Sequence, residues 1–154
     1  MKKALAILLF TLANFPVFAP LAQADQQADP GLMQRTSPYS VASTLDRLDA
    51  VLRAKNIKVF ARIDHSGEAQ SAGLNLRPTQ LLIFGNPKAG TPLMQAAPTV
   101  GLDLPMKVLA WQDDQGLVHV AWNSPDYLTG RHGLDAAYAK NLAAISGLID
   151  AAVK

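Results

Sequence analysis

Residues 81–94 constrain this chain more than any other stretch. Leu81-Leu82-Ile83-Phe84 is apolar without a gap, too short for a helix that holds itself together, and broken at once by Gly85-Asn86-Pro87. Thr91-Pro92-Leu93-Met94 then has the pattern of a helix start. The Thr91 hydroxyl can accept from unpaired backbone donors, and proline's missing N–H costs nothing at the first helical position. The stretch predicts a strand, a turn and a helix opened by Thr91. Because Gln80 to Phe84 lacks alternation, that strand is expected to be central and covered on both faces.

The neighbouring elements are set by the period of the apolar residues. Leu32 to Thr36 is a possible first strand. Ser40 fits an N-cap, and Val41, Leu45, Leu48, Val51 and Leu52 share one helical face as far as about Lys55. Ile57, Val59, Ala61 and Ile63 alternate with Lys58, Phe60, Arg62 and Asp64, so the first set is expected to face the helices and the second a more polar surface. Ser66 to Ala72 predicts a short helix stopped by Gly73. Met106 to Gln112 and Leu117 to Trp122 form a hairpin pattern across Asp113-Asp114-Gln115-Gly116. Asn123 to Gly133 reads as irregular, and the stripe from Leu134 through Tyr138, Leu142, Ile145, Leu148, Ile149 and Val153 predicts one final helix. The order implies an α+β fold, an antiparallel sheet with helices packed mainly on one face.

Lys2 and Lys3 precede an apolar run from Ala4 to Leu12, and Ala22-Gln23-Ala24 has the small-x-small form cut by signal peptidase. Residues 1–24 are expected to be a signal peptide, residues 25–36 a polar leader with the possible first strand, and residues 37–154 a single domain. Asn14 and Pro16 interrupt the run short of the ~20 apolar residues that a span requires. The expectation is a periplasmic or secreted protein with no stable membrane span after cleavage. Cleavage removes two of the 14 basic residues and none of the 12 acidic ones, which leaves a formally neutral chain. Without a surplus of cations to displace counterions, nucleic acid is not an expected partner. The absence of cysteine excludes thiol catalysis, thiolate metal sites and disulfides.

Several motifs in fixed order carry a resemblance. Arg62-Ile63-Asp64-His65, Gly73-Leu74, Leu76-Arg77-Pro78, Phe84-Gly85-Asn86-Pro87, Gly90-Thr91, Gly101-Leu102-Asp103-Leu104-Pro105 and Ala121-Trp122-Asn123-Ser124-Pro125 resemble the domain-of-unknown-function 302 family from about Ser40 to Gly133. The resemblance implies a domain of the kind grouped with TATA-binding-protein-like folds, often found as a homodimer. It implies no catalytic residues.

The candidate sites come from the residues themselves. Asn86, Lys88, Gly90 and Thr91 surround the 85–91 turn, where two glycines stand as in a phosphate loop but the Lys-Ser/Thr required after the second is missing. NTP hydrolysis is thereby disfavoured, while a small anion could still meet the helix start and Lys88. Arg77 and Trp122 could line a pocket for a planar or anionic ligand. The function expected is a dimeric exported binding domain holding a small anionic or aromatic molecule. The rival is a periplasmic enzyme with His65 as general acid or base beside Asp64. A third possibility is a metal or haem carrier using His65, His119, His132, Met94 or Met106, although no local spacing builds such a site and neither metal nor cofactor is expected.

Overall fold

The computed structural model describes residues 31–154; the expected signal peptide and residues 25–30 of the leader lie outside them. Five strands, β1 (Leu32–Ser37), β2 (Lys58–Asp64), β3 (Thr79–Gly85), β4 (Met106–Gln112) and β5 (Val118–Asn123), form one antiparallel sheet in the order β1-β5-β4-β3-β2. Five helices accompany them: α1 (Val41–Ala54), α2 (His65–Ser71), α3 (Pro87–Ala96), α4 (Pro125–Arg131) and α5 (Ala144–Val153). Short 3₁₀ turns cover Pro98–Leu102 and Ala136–Asn141.

Local chemistry sets most boundaries. Ser40 caps α1, its hydroxyl accepting from the Ser43 amide at 3.2 Å, and Asn56 leaves the helix with φ +55°. Asp64 caps α2 through the Gly67 amide, and Gly73, at φ +76°, turns the chain out of it. In the hairpin, Asp113 Oδ1 accepts from the amides of Gln115 and Leu117 while Gly116 supplies φ +82°.

Helices α1, α3, α4 and α5 contribute the core residues that cover one face of the sheet. Leu82 and Phe84, Val108 and Ala110, and Val120 and Trp122 all point to that side and pack with Leu45, Leu48, Leu52, Leu148 and Ile149 in a single core. α1 and α5 lie side by side in this layer. The opposite face carries Ile63, Leu81, Ile83, Leu109, Trp111 and Ala121 in register across four strands. None of these belongs to the core cluster.

Five local expectations need correction. α3 begins at Pro87, not Thr91: Asn86 accepts from the Lys88 amide at 2.9 Å and Pro87 occupies the first helical position, so the same cap pattern acts five residues earlier. Pro92 therefore lies inside the helix and denies the Lys88 carbonyl its donor. The β2 alternation reverses at a bulge between Val59 and Ala61. Beyond it Arg62 faces the helices, bonding the Asp46 carboxylate and the Ala42 carbonyl of α1, while Ala61 and Ile63 turn to the opposite face. β3 is next to the edge strand, and its Leu81 and Ile83 are half-exposed rather than covered on both sides. Finally, α4 occupies the stretch expected to be irregular, capped by Ser124 with Pro125 at its first position, and the stripe expected to form one helix divides into a 3₁₀ turn and α5. Gly133, at φ +64°, separates α4 from that 3₁₀ turn.

Candidate functional site: an apolar cavity beside the β3–α3 junction

Where β3 ends and α3 begins, the chain leaves a cavity of about 350 Å³. Four parts of the sequence build it. Ile57 and Phe60 come from β2 and the residue before it, the β3–α3 junction contributes Phe84 through Thr91 except Lys88, and α3 adds Met94. Leu104, Pro105 and Met106 form a second wall, and Asn141, Leu142, Ala144, Ile145 and Leu148 a third. The volume lies within the range of small-molecule pockets. Among the described residues no side chain in the wall is ionisable, and the polar side chains are limited to Asn86, Thr91 and Asn141.

Close approach explains the small residues. A Cβ on Gly85 would stand 3.3 Å from the Pro105 ring, so a side chain there would require the 104–106 wall to give by a few tenths of an ångström. Phe60 and Met94 remain 46% and 38% exposed at the mouth. The Lys58 ammonium sits over the Phe60 ring, 4.9 Å from its centroid.

The sequence-derived candidates divide among separate places. Asn86, Gly90 and Thr91 line the cavity; Lys88, between two lining residues, is exposed and does not. Asp64 and His65 are at the other end of β2, since Lys58 pairs with Gly85 but Asp64 with Gln80, a separation of about 20 Å along the strands. There Asp64 Oδ1 accepts from the Ser66 hydroxyl at 2.6 Å and the Gly67 amide at 3.0 Å, and these bonds hold its carboxyl below the usual carboxylate value. His65 is exposed, and its imidazole makes no hydrogen bond among the described residues. Arg77 is exposed in the loop before β3. Trp122 is 2% exposed in the core, under the Arg35 guanidinium, and outside the cavity wall.

Two aspartate–histidine pairs form elsewhere. His119 Nε2 donates to Asp113 Oδ2 at 2.6 Å, Gln34 Nε2 donates to its Nδ1 at 2.9 Å, and Trp111 stacks on the ring at 5.2 Å. The His119 bond, with the Leu117 and Gln115 amides, lowers the Asp113 pKa. His132 Nε2 donates to Asp103 Oδ2 at 2.6 Å while the Thr99 hydroxyl donates to its Nδ1 at 3.1 Å, and Arg131 flanks the same carboxylate. This second pair ties the end of α4 to the segment that runs into the Leu104–Met106 wall. Adjacency in sequence suggested Asp64 with His65. Hairpin register could have indicated Asp113 with His119, because Trp111 faces His119 and Asp113 is two residues further along. Nothing local links Asp103 to His132. Among the described residues no three His, Asp or Glu side chains converge as a metal site would require.

A family model described as a domain of unknown function, DUF302, matches residues 33–152. The chain belongs to the DUF302 family. The curated proteins similar to it include two named fluoride-specific ion channel FluC 1, from Brucella suis and Brucella abortus, each 48% identical over 106 residues. The match takes in 69% of this chain but only 42% and 39% of those proteins, so the DUF302 chain spans about two-fifths of the curated relatives it matches. Among solved structures, a crystal structure of an uncharacterised conserved DUF302 protein from Bacillus stearothermophilus has a TM-score of 0.68 at 21% identity, covering 81% of this chain and 97% of that one. At that identity the likeness concerns the fold.

Proposed function

We propose that this DUF302 chain is a non-catalytic, exported binding module that holds a small, mainly apolar molecule in the cavity beside the β3–α3 junction. The observation that carries the proposal is the cavity itself: large enough for a small molecule and, among the described residues, lined by no ionisable side chain. Such a wall can desolvate and orient a ligand, but it cannot exchange a proton with it. The separation of His65 from the cavity favours binding over the enzyme reading. Fluoride conduction belongs to the name of the longer relatives and forms no part of the proposal. The grouping with TATA-binding-protein-like folds is likewise proposed on the family resemblance, supported by the five antiparallel strands and the one-sided helical layer.

The test is titration with an apolar fluorescent probe, 1-N-phenylnaphthylamine. Saturable fluorescence is expected with the parent protein and its loss with Ala89→Leu, which fills the wall. Equal fluorescence from both would refute the proposal. Export is tested by the N-terminal sequence of protein taken from the periplasm, expected to begin near Asp25.

A second proposal, homodimerisation, is supported by the apolar residues on the uncovered sheet face. Leu81, Ile83, Leu109 and Trp111 form a contiguous apolar surface of the kind that marks association. Light scattering should give a dimer mass for the parent and a monomer for Leu109→Lys. A parent that is monomeric at millimolar concentration would end it.

A further inference from the structure

We infer that the ligand of this cavity is an amphipathic monoanion, an aliphatic or aromatic body buried in the wall with a carboxylate held at a lysine-lined mouth. The inference rests on the binding role proposed above and adds the ligand's charge.

The distribution of unpaired cations carries it. Every ion pair of the described residues uses arginine or histidine as its cation, so the lysines are left over. They are not spread evenly. Lys55, Lys58, Lys88, Lys107 and Lys140 each lie next to, or within two residues of, a residue of the cavity wall. The acids so placed, Asp103 and Asp150, are already bound, the first by His132 and Arg131 and the second by Arg35. Of these lysines, Lys58 and Lys88 are exposed, directly adjoin wall residues and have no acidic partner, whereas Lys107 is in register with Ile83 of the uncovered sheet face.

Lys58 fixes the geometry. Its ammonium is held over the exposed ring of Phe60, itself a wall residue, which puts a cation beside the hollow. Lys88 is exposed between Pro87 and Ala89, both in the wall. Lys107 contributes less to a ligand, because its Nζ donates to the Asp103 carbonyl at 2.9 Å and the Pro105 carbonyl at 3.4 Å. A neutral ligand would gain only from the wall. A cationic one would be repelled at the mouth, and a carboxylate of the same length gains from both wall and mouth. With two ammonium groups near the head group in partly screened solvent, a preference of about tenfold over the neutral analogue is expected at low salt.

The experiment is calorimetric titration of the purified protein at pH 7 with octanoate, octanamide and octylammonium, each below its micelle-forming concentration, in low and high salt. The same titrations are made with Lys58→Ala/Lys88→Ala, in which both changes are at exposed positions, and with Ala89→Leu. Octanoate is expected to bind about tenfold more tightly than octanamide, octylammonium most weakly, and the preference to vanish in high salt and in the double lysine variant while octanamide affinity stays. Ala89→Leu is expected to lose both octanoate and octanamide. Equal affinity for octanoate and octanamide in the parent would overturn the charge assignment and leave the cavity's binding role standing, as would tighter binding of octylammonium. Failure of all three ligands would remove the binding role and the inference together.

Discussion

Gly90→Ala tests whether the cavity is a feature kept at the expense of stability. Gly90 is in the body of α3, its amide donating to the Asn86 carbonyl at 3.0 Å, and its φ is not in the left-handed region that glycine alone enters easily. A Cβ there would meet Leu104 Cδ1 at 3.6 Å and Met94 Cε at 4.0 Å, ordinary van der Waals contact. Nothing in the folded chain therefore opposes the methyl group. Replacing a helical glycine by alanine reduces the entropy lost on folding and is worth about 0.5–1 kcal/mol. For a domain of this size that corresponds to a Tm higher by roughly 2–5 °C. Thermal and urea unfolding followed by far-ultraviolet circular dichroism will measure it, with an unchanged urea slope as the sign that only stability moved. Gly73→Ala is the control: open space surrounds it, but φ is +76°, so alanine should lower stability by about 1 kcal/mol. The new methyl at residue 90 also enters the wall of the hollow, so probe affinity should fall as stability rises. A Gly90→Ala protein that melts below the parent would refute this account of the glycine.

Three further outcomes are expected. Asp64 and Asp113 have lowered pKa values in the folded state, so each contributes stability that is present above the ordinary carboxylate value and lost as pH falls through its folded-state value. Acid unfolding of Asp64→Asn and Asp113→Asn should accordingly show a shallower loss below about pH 4 than the parent, and an unchanged slope would count against the capping bonds. Leu45→Ala, at a position with no exposure in the α1 stripe, should cost about 2–5 kcal/mol in urea unfolding, and a cost below about 1 kcal/mol would contradict its place in the core. Ser40→Ala should cost about 1 kcal/mol through loss of the bond to the Ser43 amide, and no change would mean that solvent replaces the cap.

Elements whose signals are complete within a few residues were legible in the chain. α1 carries both its cap and its apolar stripe, and the β4–β5 hairpin carries its alternation and Gly116. α4 was missed although its start carries a local signal, Ser124-Pro125-Asp126 being the cap, first position and acidic first turn of a helix. Its short length and lack of a long stripe hid it. The β2 reversal was not legible: a bulge is set by the partner strand's register, and from Lys58 to Asp64 alone the alternation looks unbroken. The half-exposed side chains of β3 escaped for a related reason. An apolar strand looks the same whether both faces are covered by its own chain or one is left bare.

By itself the sequence determined the α+β class, the family, and the position of the strand–turn–helix bend around which Asn86, Gly90 and Thr91 gather. Each depends on backbone groups that must find partners close by and on apolar residues that must share a face. Only the tertiary structure decided that this bend borders a hollow, that Trp122 is core, and that Asp113 and Asp103 rather than Asp64 hold histidines. A cavity wall drawn from residue 57 to residue 148, and a hydrogen bond from His132 to Asp103, join segments that no local period relates. They exist only once packing has brought four distant parts of the chain together.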